Sequence, residues 1–407
     1  MRVMCTVSAW PTHWYPMVAV LWGLQAAGHQ VAVVCPPSQA APVTRAGLTP
    51  APVLAELDIA FLARLRNVFD AQAGAWPYDW PPPHPVTGAP MKAVAEFGYA
   101  EFTRAGAEKI ARPVARNGRA AIAFAREYRP DLVLHEPLAM EGLLAARVVG
   151  VASAVHLWGP IGTHERDPAA ASVVEYPVGS FAPHGAGAVA LDTVGHVIDP
   201  CPEPLGPVVD AERLAVRYTP YNGPEEVPAW LLDPPTRPRV AVVWGTSLTA
   251  MYGPGSFAVP LILDALAGLD VEVVVCTSAR DAAGVRYTRP GVRVVAELPL
   301  HLLLPTCAAV VHHGGAGCLM TAVATGVPQV VLPTGMDQPV NAARLAATGA
   351  AISVPRAGAD PEAVRAAVAA VVGEPSYRAA AAALRRSNDD RGTPAELVGG
   401  LEKLAAR

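Results

Sequence analysis

Charge is scarce in this sequence. Asp, Glu, Lys and Arg make up 16% of its 407 residues, well under the roughly 25% of an average globular chain. The formal net charge is −4, so no global positive field exists to hold a nucleic-acid backbone or an anionic membrane surface, and neither is expected as a partner. Paired thiols are missing too. The six cysteines, at 5, 35, 201, 276, 307 and 318, form no Cys-x-x-Cys pair, and Cys5, Cys35 and Cys276 sit in short apolar runs where a free thiol behaves as a small hydrophobe. A reducing, cytoplasmic location is expected. Long apolar runs are absent as well: the uncharged stretch Val240 to Leu263 carries Gly253, Pro254 and Gly255 in mid-run, and no segment offers about 20 unbroken apolar residues for a membrane span. The opening MRVMCTVSAWPTHWYP is interrupted by Pro11, His13 and Pro16, so it reads as a strand and its loop rather than a secretory signal.

What the chain does have is apolar bulk. Hydrophobic residues reach 52% and mean hydropathy is +0.29, which can fill large cores. Proline (42) and glycine (35) are plentiful, yet short of the roughly 25–30% that signals disorder. At about 150 residues per domain the length implies two domains, or three small ones.

Short apolar runs alternate with Gly or Pro loops and helical patterns, which argues for parallel α/β sheets. In the first half Val3–Val7, Val31–Cys35, Asp131–His135 and Ala152–Leu157 read as strands; Met17–Ala27 and Glu141–Val149 read as helices ended by Gly28 and Gly150. The second half starts afresh at Arg239–Trp244 and continues through Val271–Cys276, Val292–Val295, Ala308–His312, Gln329–Leu332 and Ala351–Val354. Between them, Asp199–Arg239 is so dense in proline that it resists both helix and sheet. The expected layout is an N-terminal domain at 1–205, a Pro-rich linker at 206–238, a second domain at 239–385, and a C-terminal helix at 386–407 packing back on the first domain. Two such halves put a ligand cleft at the carboxyl ends of both sheets. The irregular regions Trp76–Pro90 and Gly159–Gly195 could wall an acceptor pocket.

The segment AAVVHHGGAGCLMTAVATGVPQVVLPTGMDQPVNAARL, Ala308 to Leu345, is the most informative. A buried strand ends in His312 and His313, a turn with Gly314, Gly315 and Gly317 follows, and a helix begins near Cys318. Glycines let the backbone approach a ligand, and a helix start presents free N–H groups with partial positive charge. The pattern suits a diphosphate, or a purely structural turn. It lacks the Lys-Ser or Lys-Thr of a P-loop, and it does not open the chain as a dinucleotide fingerprint does. The two histidines point to opposite faces of the strand, so joint coordination of one ion is not expected.

Three segments in order, the T-H-W-Y-P loop followed by AGHQVAVV, PLHLLLPTCAAVVHHGGAGC and VPQVVLPTGMDQPVNAARL, make the whole chain resemble a bacterial natural-product glycosyltransferase of family 1. That family decorates polyketides, macrolides and anthracyclines. The resemblance implies the GT-B fold, two Rossmann-like parallel-sheet domains facing a central cleft. It implies that His313 and the backbone of Gly315, Ala316, Gly317 and Cys318 hold a donor diphosphate, and that Asp337 and Gln338 contact sugar hydroxyls. Thr246 in WGTS is implied to add a hydroxyl, and the backbone near Leu298 to border the base. Cys318 replaces the commoner Thr or Ser, which puts a side-chain bond to phosphate there in doubt.

The resemblance implies His13 as the catalytic base; the residues alone favour a histidine that caps or packs against the helix beginning at Pro16. Glu136 is the candidate carboxylate orienting it, against a solvated loop acid. The implied reaction is inverting transfer from a TDP- or UDP-sugar to an aglycone hydroxyl, with no metal or other cofactor. The sequence contains no Asp-x-Asp pair. Trp76, Trp80 and Trp158 are candidate acceptor-binding residues, against ordinary packing. The HLWGP stretch, His156–Pro160, resembles members that need a P450-like auxiliary protein, so a hetero-complex subunit is an alternative, as is a catalytically silent nucleotide-sugar binder. A homodimer is left open.

Overall fold

Runs of buried Val, Leu and Ala form two all-parallel sheets in the computed structural model of the chain, which describes residues 1–162, 165, 181–187, 194–224, 226–285, 290–296 and 298–407, with Thr246 by its backbone alone. The first sheet has seven strands: β1 (Arg2–Thr6), β2 (Gln30–Val34), β3 (Thr49–Ala51), β4 (Leu132–His135), β5 (Ala152–His156), β6 (His196–Asp199) and β7 (Glu212–Ala215), in the order β3-β2-β1-β4-β5-β6-β7. The second has six: β8 (Arg239–Trp244), β9 (Glu272–Thr277), β10 (Val292–Ala296), β11 (Ala309–His312), β12 (Gln329–Val331) and β13 (Ala351–Ser353), in the order β10-β9-β8-β11-β12-β13. Both are doubly wound. The strand order reverses between β1 and β4 in one sheet and between β8 and β11 in the other, and the crevice outside such a reversal is where open α/β sheets bind ligands.

Strands read as unbroken apolar runs because helices cover both faces. In β8, Val240, Val242 and Trp244 pack with the helices Val259–Leu266 and Pro361–Gly373, while Ala241 packs with Leu303, Leu304 and Cys318 on the opposite face. In the first sheet Val3 and Cys5 pack with Met17, Val18 and Leu21 on one side, and Met4 with Leu143 and Leu144 on the other.

The described residues divide into two compact units: Met1–Asp58, Gly106–Pro224 and Ser387–Arg407 form the first, and Ile59–Ala105 with Glu225–Arg386 the second. The division is therefore not a single cut along the chain. Ile59–Ala105 belongs with the second sheet, although it precedes β4 in sequence. The helix Pro394–Ala405 belongs with the first, where Leu397, Val398, Leu401 and Leu404 fill the core around Leu21 and Leu24.

The proline-rich segment Asp199–Arg239 corrects one expectation. It was expected to resist sheet formation throughout, yet β7 lies inside it, paired in parallel with β6 from His196↔Glu212 to Asp199↔Ala215. The four residues ERLA contain no proline, and an edge strand needs only one row of backbone bonds. Its side chains are mostly exposed, so no apolar run marked it in the sequence.

Candidate functional site

At the first reversal the chain leaves β1 through Val7, whose N–H still bonds Val34 O at 3.0 Å. Pro11 then opens the short helix Pro11–Trp14, where its fixed φ and missing N–H cost nothing. His13 sits on this helix, half-buried. Its imidazole stacks on Trp158, ring centroids 4.0 Å apart and planes inclined by 20°, with Trp10 at 6.1 Å. Burial pushes its pKa down to about 3, so the ring is neutral, and Nδ1 is buried with no hydrogen-bond partner among the described residues. Trp158 comes from the loop after β5 and is buried, so at least one ring face is committed to His13.

Glu136, expected to orient His13, makes no bond to it. Fully buried, its carboxyl accepts the Ser8 N–H at 3.0 Å and the Leu138 N–H at 2.7 Å, and burial raises its pKa to about 7 despite these donors. It pins the root of the loop that carries His13, five residues before the imidazole. His156 donates its Nδ1–H to Leu157 O, 2.8 Å away, and is buried at the carboxyl end of β5.

At the second reversal β11 ends in His312, whose two ring nitrogens are both committed. Nδ1 accepts the Gly314 N–H at 3.0 Å, which fixes the proton on Nε2 for donation to Gln329 Oε1 at 2.8 Å. Gln329 in turn donates to Leu319 O. His312 therefore shapes the turn. His313 faces the other way, edge-on to Trp244 at 5.6 Å, with burial and then His312 lowering its pKa to about 3. A Cβ on Gly315 would lie 2.6 Å from His313 Cε1, so any other residue there would displace the imidazole.

Gly315 is the N-cap of the helix Ala316–Thr325 and brings no capping side chain. The N–H groups of Ala316, Gly317 and Cys318 find no acceptor among the described residues, and a Cβ on Gly317 would meet nothing within 4 Å. An anion has room there. Burial drives the Cys318 thiol far above its usual pKa, so it brings no negative charge to the site.

The loop after β12 completes this edge. Thr334 N–H donates to Gln338 Oε1 at 2.9 Å, closing the loop on itself. Asp337 stands at the N-cap position of the helix Gln338–Ala347 without making a cap bond; its Oδ2 accepts from Asn341 Nδ2 at 3.0 Å, and burial raises its pKa to about 6. Asn341, fully buried, was not singled out in the sequence. Its Nδ2 also donates to Gly314 O at 3.0 Å, so one amide ties the glycine turn to the Asp337 loop. The only sequence signal was a buried-facing Asn one helical turn after Asp337. His313 Nδ1, Thr334 Oγ1 and Asn341 Oδ1 are buried with no partner among the described residues, and such atoms call for a ligand or water.

Of the remaining candidates, Leu298 is half-buried and packs beside the Leu303 core, and Thr246 opens the helix Thr246–Tyr252 with its side chain outside the described residues. Trp76 and Trp80, expected on the acceptor side, lie in the second unit with Trp76 stacked on Tyr252 and Trp80 on Tyr78. The region Gly159–Gly195 falls largely outside the described residues. No helix among those described is long and apolar enough to cross a membrane, and no group of three His, Cys, Asp or Glu is arranged to hold an ion.

Two doubly wound parallel units, one with an open helix start behind a His-Gly-Gly turn, define the GT-B architecture. A crystal structure of the glycosyltransferase VinC in complex with dTDP matches over 100% of both chains, with TM-score 0.75 and 28% identity. Residues 117–245 match the N-terminal and residues 260–404 the C-terminal domain of the family described as erythromycin biosynthesis protein CIII-like. The 10-deoxymethynolide desosaminyltransferase of Streptomyces venezuelae is 36% identical, covering 100% of this chain and 98% of its own length. The aklavinone 7-beta-L-rhodosaminyltransferase of Streptomyces galilaeus is 35% identical, covering 100% and 96%. The chain belongs to the bacterial natural-product glycosyltransferases of family 1, a family of nucleotide-sugar-dependent enzymes.

Proposed function

We propose that this enzyme transfers a deoxysugar from a TDP- or UDP-sugar to a hydroxyl of a polyketide-type aglycone, with inversion and without a metal, in the cytoplasm. The observation that carries the reading is the row of unpartnered N–H groups at Ala316, Gly317 and Cys318 beside His313 Nδ1. These donors suit a diphosphate, and they offset the charge that grows on it as it leaves. Asp337 and the free amide end of Gln338 bind sugar hydroxyls, Thr246 adds a donor, and the backbone near Leu298 borders the base. Trp158 lies against the aglycone and holds His13 in place.

Neutral His13 takes the proton from the aglycone hydroxyl as its oxygen bonds to the anomeric carbon. The carbon–oxygen bond to the diphosphate breaks on the opposite face, and its electron pair leaves with the nucleotide. The catalytically competent form of His13 is the neutral one that burial already enforces.

Calorimetry with TDP in excess chelator tests the donor site. Wild type should bind, and His313→Ala should weaken binding about 10- to 150-fold, the 1.5–3 kcal/mol of a hydrogen bond to a charged group. Binding that vanishes on chelation would refute the metal-free site, and unchanged affinity in the variant would move the diphosphate elsewhere. Transfer assays are run with and without a P450-like auxiliary protein, the partner suggested by the His156–Pro160 stretch.

A further inference from the structure

The loop Thr334–Gln338 is closed by its own Thr334–Gln338 bond and is braced from outside as well. Met336 adopts φ +57°, a left-handed conformation that a non-glycine residue enters at a cost. Gly335 has no room for a side chain: a Cβ there would lie 2.0 Å from the Tyr252 hydroxyl. The support comes from a segment of distant sequence, residues 76–80, within the same unit.

Tyr78 donates its hydroxyl to Thr334 O at 2.5 Å. Trp80 stacks on Tyr78 with centroids 4.5 Å apart and donates Nε1 to Tyr252 O at 3.0 Å. Trp76 stacks on Tyr252 and donates Nε1 to Trp80 O at 2.6 Å, closing the segment on itself. Tyr252, gripped by both tryptophans, bonds the Met336 backbone through its hydroxyl. Arg356 covers Trp80 at 5.4 Å, while its own N–H bonds Pro333 O at the start of the loop. Behind the segment, Asn67 donates to Met251 O at 2.9 Å and so fastens the helix Ile59–Gln72 to the one that carries Tyr252.

The geometry points to Tyr78 as a positioning residue for sugar recognition, with Trp76, Trp80 and Tyr252 forming an aromatic clasp that fixes the Thr334–Gln338 loop in the conformation presenting Asp337 and Gln338. This inference rests on the reading that Asp337 and Gln338 contact the sugar. The clasp touches the loop directly and reaches the glycine turn through the Asn341 joint, so it acts first on the sugar end of the donor. It also gives Trp76 and Trp80 a role on the donor unit.

Tyr78→Phe keeps the ring and removes the one bond to Thr334. Hydrogen exchange of the TDP-bound protein should quicken about two- to tenfold in peptides spanning 332–341, the worth of one neutral hydrogen bond, and by less in peptides spanning 312–320. The TDP affinity should remain within about twofold, while KM for the sugar donor in transfer rises by the same two- to tenfold. Trp80→Phe, which loses the bond to Tyr252, should reproduce the pattern and replaces Tyr78→Phe if that variant does not fold. Unchanged exchange at 332–341, or equal loss of TDP binding, overturns the clasp. Asp337→Asn separates the two readings: if it leaves donor KM and turnover untouched, the sugar role of the loop fails whatever Tyr78 does, whereas a strong Asp337→Asn effect with a silent Tyr78→Phe condemns the clasp alone.

Discussion

Replacing Asn341 by leucine puts the joint between the two donor loops to a quantitative test. The side chain is fully buried and its Nδ2 serves two acceptors, Gly314 O and Asp337 Oδ2, each at 3.0 Å. Leucine has the same branched arrangement of four side-chain heavy atoms, so the loss is chiefly polar. Orphaning the Gly314 carbonyl costs about 1–3 kcal/mol, and removing a donor from a carboxylate costs about 1.5–3 kcal/mol. Against this, Asn341 Oδ1 is itself buried without a partner, and its removal returns about 1–3 kcal/mol. At mid-range values the net destabilisation is about 2 kcal/mol, which for a unit of this size is a Tm drop of about 4–8 °C. A second effect has a definite sign. Asn341 stabilises the ionised form of Asp337, whose pKa burial has already raised to about 6; without that bond the carboxyl holds its proton to higher pH. Because ionised Asp337 is the form proposed to bind sugar, the acid limb of kcat/KM for the donor should move up by about one to two pH units. Thermal unfolding at pH 8 and a pH–rate profile measure the two effects. A variant that loses under about 1 kcal/mol and keeps the wild-type acid limb would show that Asn341 only fills space.

Two further outcomes follow from the buried imidazoles. His13→Ala should cut single-turnover transfer by about 10²–10⁴ with TDP affinity and Tm preserved; a rate within about threefold of wild type would remove His13 from the mechanism, and a drop in Tm with a matching drop in rate would make it a packing residue. For stability, burial holds His13 and His313 at about 3 and His135, His156 and His312 at about 4, all below their ordinary 6.5. The unfolded chain therefore binds more protons than the folded one, and stability is lost as pH falls from about 6.5 towards 4. Glu136 and Asp337, raised to about 7 and about 6, act in the opposite sense, weakening the fold as pH rises from about 4 to 7. Five imidazoles outweigh two carboxyls, so Tm should decline on the acid side; a flat Tm across pH 4–7 would mean the imidazoles are hydrated in solution.

The strands facing two apolar layers were legible because burial on both faces writes unbroken Val, Ala and Leu runs, and Glu141–Val149 and Arg239–Trp244 match to the residue. The edges were not: Glu212–Ala215 has too little to bury to leave a pattern. The same contrast divides the site. The His-Gly-Gly turn is local chemistry, and backbone donors follow from chain direction and glycine spacing. The assignment of Trp76 and Trp80 depends on which sheet a long excursion joins, and nothing between Ile59 and Ala105 records that the segment packs with strands more than 130 residues later. Asn341 escaped for a related reason. Its value lies in two acceptors on separate loops, and a lone Asn inside a helix carries no mark of what it will meet.

The helix Pro394–Ala405 also fixes an order of assembly on the ribosome. Every piece of the second unit has been synthesised once residue 386 is made, whereas the first unit still waits for Ser387–Arg407. Until then the groove that receives Leu397, Leu401 and Leu404 lies open, with Leu21 and Leu24 uncovered. The unit whose chain begins first is thus the one completed last, lacking the apolar side chains of its final helix until the end of synthesis. A ribosome stalled a few codons after 386 would release a chain with a finished second unit and an unfinished first, primed to aggregate through one defined face.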